Sequence, residues 1–441
     1  MAVFKGEKRE TWLEYLENLP KLVVRSIFRH GYPNNDVDRS EIVFKNFFLH
    51  IHPVKCHKST TDFFKTLGLG SITMSLFITL VITGVVLMFY YVPAEDRAYD
   101  IMKDWQDVTP FAQMFRNLHR WGAHMMVLFV FLHMSRVFYM GSYKGERRFN
   151  WVIGVILMVL TLLLSFTGYL LPWDQLAFWA VTVGSEIAGY APGIPGMEHN
   201  INRIMLIAST SVGQDALIRF YVLHVMVLPL AAGILIGVHF WRIRKDGGLA
   251  RPPDKVSPEP YRVVQRSDTK ETFAPGVRRT YGLMELVRGT CPTVDRGPYN
   301  YIFTWPHLLR AELIAFMFTV VLIMILSFID APLEEAANAT KPPNPSKAPW
   351  YFLGLQEMVA YSAFWGGVGI PGLIVVGLMV VPYLDRNPYG SGVWYHRSRY
   401  MAIFLYTFFM TTQGILVIIG TYFRGANWGW IWPWTENFAR H

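Results

Sequence analysis

Charge is scarce in this chain of 441 residues: Asp, Glu, Lys and Arg together make up 17% of it, against about a quarter in an ordinary soluble domain. The deficit is uneven. It falls in blocks of about 20 apolar residues, the length that crosses a hydrocarbon core, and this excludes a soluble multidomain enzyme. Cysteine is almost missing, with only Cys56 and Cys291, too few for a disulfide framework. The first 60 residues hold no continuous apolar stretch after the first lysines, so they are too polar for a secretory signal peptide. The formal charge of +9 fits basic loops and lipid headgroups better than nucleic acid.

What is abundant is apolar and aromatic: 52% and 15% of the chain. The pattern predicts an all-α integral membrane protein with seven spans, at about 67–92, 117–140, 149–171, 216–241, 308–329, 368–384 and 400–422. Loop charge supports that count. The loop after the first span holds Glu95, Asp96, Asp100, Asp104 and Asp107, whereas the next holds Arg136, Lys144, Arg147 and Arg148. The alternation continues to Arg386, Arg397 and Arg399, as the positive-inside rule requires of correctly counted spans. It places the N-terminus in the cytoplasm and the C-terminus outside.

Four regions follow. Residues 1–66 form a cytoplasmic segment in which Trp12, Leu13, Leu16, Leu19, Val23 and Ile27 recur at near-helical spacing between basic residues. That helix either lies on the membrane surface or packs on a partner subunit. Residues 67–245 make a four-span part, 246–307 a cytoplasmic linker rich in proline and basic residues, and 308–441 a three-span part.

Histidine carries the chemistry. On the second span His119 and His133 are 14 residues apart, about 21 Å along a helix and near one face. On the fourth span His224 and His239 are 15 apart, about 22 Å. Two antiparallel pairs of spans make these helices parallel. His119 then faces His224 near the outer surface, and His133 faces His239 near the inner one. A single imidazole in hydrocarbon is as well explained by packing as by function. Four in matched pairs are explained by bis-histidine ligation of two haem irons, for which neutral imidazole is an ordinary axial ligand. No C-x-x-C-H run occurs, so c-type attachment through that motif is excluded. His124 breaks the pattern and reads as a packing residue.

Glycine repeats the interval. Gly70 and Gly84 on the first span are 14 apart, and so are Gly154 and Gly168 on the third. Either they make room for a porphyrin edge or they are helix-packing residues; the shared interval favours the first. Arg116, Arg120 and Arg136 lie close enough to the histidines to pair with haem propionates, or they snorkel.

These residues resemble the cytochrome b of the bc1 and b6f quinol-oxidising complexes, over roughly residues 60–435. Arg116 to His133 followed by Tyr139-Met140-Gly141-Ser142-Tyr143 resembles that family's second helix, and Gly168-Tyr169-Leu170-Leu171-Pro172-Trp173 its quinol-site segment. The 15-residue interval and Ile243-Arg244-Lys245-Asp246-Gly247-Gly248 are closer to the b6 branch, and the last three spans resemble the small subunit of b6f complexes. The b6 branch attaches a further haem through a cysteine, but Gly68 stands at that position and Cys56 lies too early. No covalent haem is expected. Where the family's quinol loop reads Pro-Glu-Trp-Tyr, this chain has Ala348-Pro349-Trp350-Tyr351.

The resemblance implies two non-covalent b haems, and quinol oxidised near the outer face with quinone reduced near the inner one. It also implies partners: a Rieske-type iron–sulfur protein, c-type cytochrome subunits and a homodimeric complex in lipid. Quinol oxidation needs a proton acceptor, and with the loop carboxylate missing Glu357 is expected to take that role. Tyr351 and Tyr169 join it as catalytic residues, Trp350 and Tyr351 bind quinol, and Arg244 and Asp246 bind quinone at the inner end. Two rivals remain at this point. A two-haem anchor of a membrane dehydrogenase would not need residues 308–441, and a proton-relay transporter would bind no haem.

Overall fold

The structure, a computed structural model, describes residues 11–27, 32–192, 201–250 and 301–434. Residues 251–300, most of the expected linker, lie outside the described residues, as does Cys291. Among the described residues seven helices are long and apolar enough to cross a membrane. They are Leu69–Met88, Pro110–Tyr139, Gly145–Tyr169, Gln214–Lys245, Thr304–Ser327, Trp365–Leu384 and Arg397–Tyr422. Each overlaps its expected span. The N-terminal helix Trp12–Ile27 is also present, with Trp12, Leu13, Leu16, Val23 and Ile27 all exposed.

Two boundaries differ from expectation for physical reasons. The second span begins seven residues early, at Pro110, because Gln113, Arg116 and Asn117 are polar yet helical and buried. Hydropathy stops at such residues; the helix does not. Pro110 suits its first turn, where a missing N–H costs nothing. The fourth span runs on to Lys245 and contains a π-helical stretch, Leu223–Val227, immediately before Pro229. Proline lacks an N–H and crowds the preceding turn, and a π-bulge relieves this by inserting one residue. The sixth span repeats the arrangement, with Trp365–Gly369 before Pro371.

The outer ends of the two halves are sewn together by hydrogen bonds. Asn117 Nδ2 donates to the Ser327 carbonyl (3.1 Å) and to Asp330 Oδ1 (3.1 Å), while its Oδ1 accepts from Ala331 N–H (2.8 Å). Arg116 donates to the carbonyls of Ala331 (2.7 Å) and Pro332 (2.6 Å). Asp174, whose carboxyl burial raises above its usual range, accepts from Ala177 N–H (2.8 Å) and Glu334 N–H (3.2 Å). At the inner end the buried Arg399 donates to the carbonyls of Phe138 (2.8 Å) and Tyr139 (3.0 Å) and to the Tyr143 hydroxyl (3.0 Å). Two short antiparallel strands, Lys55–His57 and Tyr301–Phe303, tie the N-terminal segment to the start of the fifth span. Away from these seams the spans turn large apolar side chains outward, among them Ile234, Leu373 and Phe404, as helices facing lipid do.

Asn117→Ala removes three hydrogen bonds and leaves the buried Ala331 N–H on the other half without its acceptor. It is expected to lower stability by about 1–3 kcal/mol, read as a lower unfolding midpoint of the detergent-solubilised protein.

Candidate functional site

The second and fourth spans bring the four histidines together as the 14- and 15-residue intervals predict. His119 and His224 face each other with ring centres 6.0 Å apart and planes at 79°. His133 and His239 line the inner part of the same cavity. The unequal intervals are reconciled by the π-bulge. It includes His224 and runs toward His239, adding one residue, so 15 residues on the fourth span match 14 on the second.

Spans one and three hold the outer rings. Thr83 donates its hydroxyl proton to the Thr79 carbonyl (2.8 Å), so its oxygen is left to accept from His119 Nδ1–H (2.9 Å). His224 Nδ1–H donates to the Leu164 carbonyl at 3.0 Å, with Thr167 Oγ1 at 3.3 Å. Both rings therefore carry their proton on Nδ1 and leave the Nε2 lone pair free, the arrangement by which an imidazole is oriented toward a metal. A metal with an imidazole nitrogen about 2 Å away on either side needs ring centres roughly 6 Å apart. The observed spacing meets that requirement.

The glycines serve these rings. A Cβ on Gly84 would stand 3.2 Å from His119 Cε1, one on Gly70 3.5 Å from His133 Cε1, and one on Gly154 3.9 Å from His239 Cε1. At Gly168 it would run into the His224 ring. The nearest protein neighbour of each glycine is thus an imidazole edge. Each span-one glycine serves span two, and each span-three glycine serves span four. All eight residues line one cavity of about 970 Å³ that runs from Tyr221 and Tyr351 at the outer end to His52 and Asp246 at the inner end.

The three arginines are used differently. Arg116 and Arg136 line the cavity but are buried, and both donate to backbone: Arg116 to the fifth-span exit and Arg136 Nε to the Lys65 carbonyl (2.9 Å). Arg120 lies over the Tyr169 ring at 4.9 Å, and its Nε is buried with no hydrogen-bond partner among the described residues. Of the three it is the most available to an anionic group in the cavity.

At the outer end Tyr169, Tyr351 and Arg120 share the cavity lining with Ser165 and His124. Burial pushes the Tyr351 phenol up to about 12, so it keeps its proton at neutral pH and can donate. Trp350 is absent from the lining; its indole N–H instead donates to His124 Nδ1 (3.1 Å). Glu357 is fully buried, yet it does not line the cavity. Arg424 grips its carboxylate through Nε (3.1 and 3.2 Å) and Nη2, and Trp428 Nε1 donates to it at 3.0 Å. The expectation that Glu357 accepts the quinol proton is corrected by that geometry: the carboxylate is already committed to a guanidinium and lies outside the cavity lining.

At the inner end Asp246 lines the cavity and Arg244 does not. The latter expectation followed from sequence proximity alone. Two residues that sequence reasoning missed are there instead: His52 and Glu312, paired at 2.8 Å and both lining the cavity. Glu312 was discoverable, since an acid inside the apolar run after Ala311 is a functional candidate by default. His52, in an amphipathic surface segment, gave no such signal. Cys56 is buried in the first strand beside this end, where burial raises its thiol.

Comparison with known proteins assigns the class. The family model for cytochrome b/b6/petB matches residues 55–247. The chain is 41% identical over 197 residues to cytochrome b6 of Heliomicrobium gestii, covering 44% of this chain and 88% of that protein. It is 42% identical over 198 residues to cytochrome b6 of Heliobacterium modesticaldum, again 44% and 88%. Among solved structures it is similar to a chain of a hyperthermophilic respiratory Complex III, with TM-score 0.62 and 24% identity over 81% of this chain and 84% of that one. The chain belongs to the cytochrome b/b6 family. It is an all-helical, multi-pass membrane protein of electron transport that binds haem b.

Gly168→Ala is expected to displace the His224 ring and so to weaken or shift the haem absorption bands of the purified protein. Gly154→Ala, with 3.9 Å to spare, is expected to leave them unchanged. Both are read in a reduced-minus-oxidised spectrum.

Proposed function

We propose that this chain is the di-haem cytochrome b subunit of a quinol-oxidising bc-type complex. The observation that carries this reading is the outer pair of imidazoles, spaced for a shared metal with both Nδ1 protons already engaged. His119 with His224 and His133 with His239 are the four axial ligands, and no haem is held covalently. Haem held at these two places supplies reversible one-electron storage at two depths of the membrane.

The residues of this chain do the rest. Glycines at the ring edges and the Thr83 and Leu164 oxygens hold the outer imidazoles in one orientation. Quinol is bound at the outer end, where Tyr351 and Tyr169 offer phenol donors and Arg120 a cation. Pro349 supplies no carboxylate, and Glu357 anchors the helix Trp350–Tyr361 to the residues after the last span through Arg424. Quinone is bound at the inner end against Asp246 and the His52–Glu312 pair.

The high-potential electron acceptor is assigned to a partner on the family relationship to cytochrome b6. The partners inferred are a Rieske-type iron–sulfur protein and c-type cytochromes in a homodimeric complex, consistent with the Complex III relative. The setting is a bacterial cell membrane, N-terminus inside and C-terminus outside, with residues 67–245 as the haem part and 308–441 completing the quinol site.

The complex purified from its membrane is expected to contain two b haems per chain, both extracted by acidified acetone. Changing His133 to Ala should abolish one and spare the other, and the same should hold for His224→Ala with the identities exchanged. A single haem in the wild type, or full haem content in both variants, would falsify the assignment. A haem-free protein would turn the reading toward the transporter alternative.

A further inference from the structure

Resting on that reading, we infer that His124 is a substrate-binding residue of the outer quinol site, offering its Nε2–H to an oxygen of the quinol or quinone. Spacing alone leaves this histidine without a role, since it lies five residues after His119 and off the face the haem ligands share. The structure places it among the residues expected to meet quinol. It lines the cavity together with Tyr351, Tyr169, Arg120 and Ser165, and its ring lies 5.4 Å from that of Tyr351 in an edge-on arrangement.

Its protonation is decided by a neighbour. The Trp350 indole is a donor only, and it donates to His124 Nδ1 at 3.1 Å. Nδ1 is therefore the acceptor, and the neutral ring carries its proton on Nε2. That nitrogen is buried and has no hydrogen-bond partner among the described residues. A buried donor without an acceptor is costly, and native structures rarely leave one unless something else completes it. In the outer cavity the group available to complete it is a substrate oxygen.

The same geometry separates His124 from a proton acceptor. With its lone pair on Nδ1 taken by Trp350, the neutral ring has a proton to offer and no free site to receive one. It therefore binds and orients an oxygen of the quinol or quinone. The charged and titratable groups around it are Arg120 on its own helix, Tyr351 on the loop helix and Tyr169 on the third span. The arrangement suits a loop in which Pro349 stands where the family has a carboxylate: the second span supplies the polar group that this loop does not offer to the substrate.

The test uses the intact complex, assayed with a short-chain naphthoquinol and a short-chain benzoquinol, and titrated with a 2-alkyl-3-hydroxy-1,4-naphthoquinone as a binding probe. His124→Gln keeps an acceptor for Trp350 and a donor for substrate on one side chain; His124→Phe keeps bulk and neither. The Phe variant is expected to lose about tenfold in kcat/KM with the better quinol and about tenfold in probe affinity. The Gln variant should stay within about threefold of wild type. Both should retain wild-type haem spectra. Unchanged kcat/KM and probe affinity in the Phe variant would overturn the inference while leaving the quinol-oxidising reading intact. Equal losses in the Gln and Phe variants would also overturn it, by assigning His124 to packing. A wild-type complex with both haems and no quinol oxidation would overturn the reading itself, and the inference with it.

Discussion

An imidazole inside hydrocarbon has two nitrogens to satisfy, and much of this architecture follows from how the chain satisfies them. At the outer pair one nitrogen of each ring is bound by the neighbouring span: Thr83 for His119 and the Leu164 carbonyl for His224. The other nitrogen is then directed at the facing ring across 6.0 Å. For this to work, spans one and three must approach the rings closely, and a side chain at the contact would prevent it. Gly84 and Gly168 are the consequence, while at Gly70 and Gly154 a Cβ would stand at ordinary contact distance from the inner rings. At the outer pair the four-span arrangement is in this sense a device for presenting lone pairs inward while the ring donors are used up outward.

Register was the harder problem. On regular helices, 14 and 15 residues differ by about 100° of rotation, so the second and fourth spans cannot present both pairs equally well. The π-bulge at Leu223–Val227 removes the mismatch by absorbing one residue within the interval. Pro229 is its cause, through the N–H it lacks and the turn it crowds. A single proline thus links local backbone chemistry to the depth at which His239 meets His133. The interval is readable from the residues themselves, whereas the bulge is not, because proline in a helix can also kink or end it.

That contrast runs through the molecule. The seven spans, the histidine pairing and the glycine interval were legible because burial in lipid imposes long-range regularities of length, charge and period. Individual polar partnerships were not, because they depend on which side chains tertiary packing brings within about 3 Å. Arg116 sits three residues from a histidine and yet spends its donors on the carbonyls of Ala331 and Pro332. Arg244 is next to residues that line the cavity without lining it. Glu312 and His52 are 260 residues apart and share one hydrogen bond. None of these choices leaves a periodic trace.

Glu357 shows most clearly why position in the chain is weaker evidence than partnership. A carboxylate six residues from Tyr351, inside an apolar stretch, has the right address for a proton acceptor. Its neighbours contradict that role. A guanidinium grips both oxygens, and an indole N–H donates to one of them. Removing one member of such a buried pair leaves an uncompensated charge, so the pair is held by the cost of breaking it. Its placement joins the loop helix to the aromatic run after the last span, where Arg424 also donates to the Trp428 carbonyl (3.1 Å) and lies over the Trp430 ring at 5.5 Å. The Glu357 carboxylate fixes the helix that carries Tyr351, and the face that helix turns to the cavity meets a histidine from the other half.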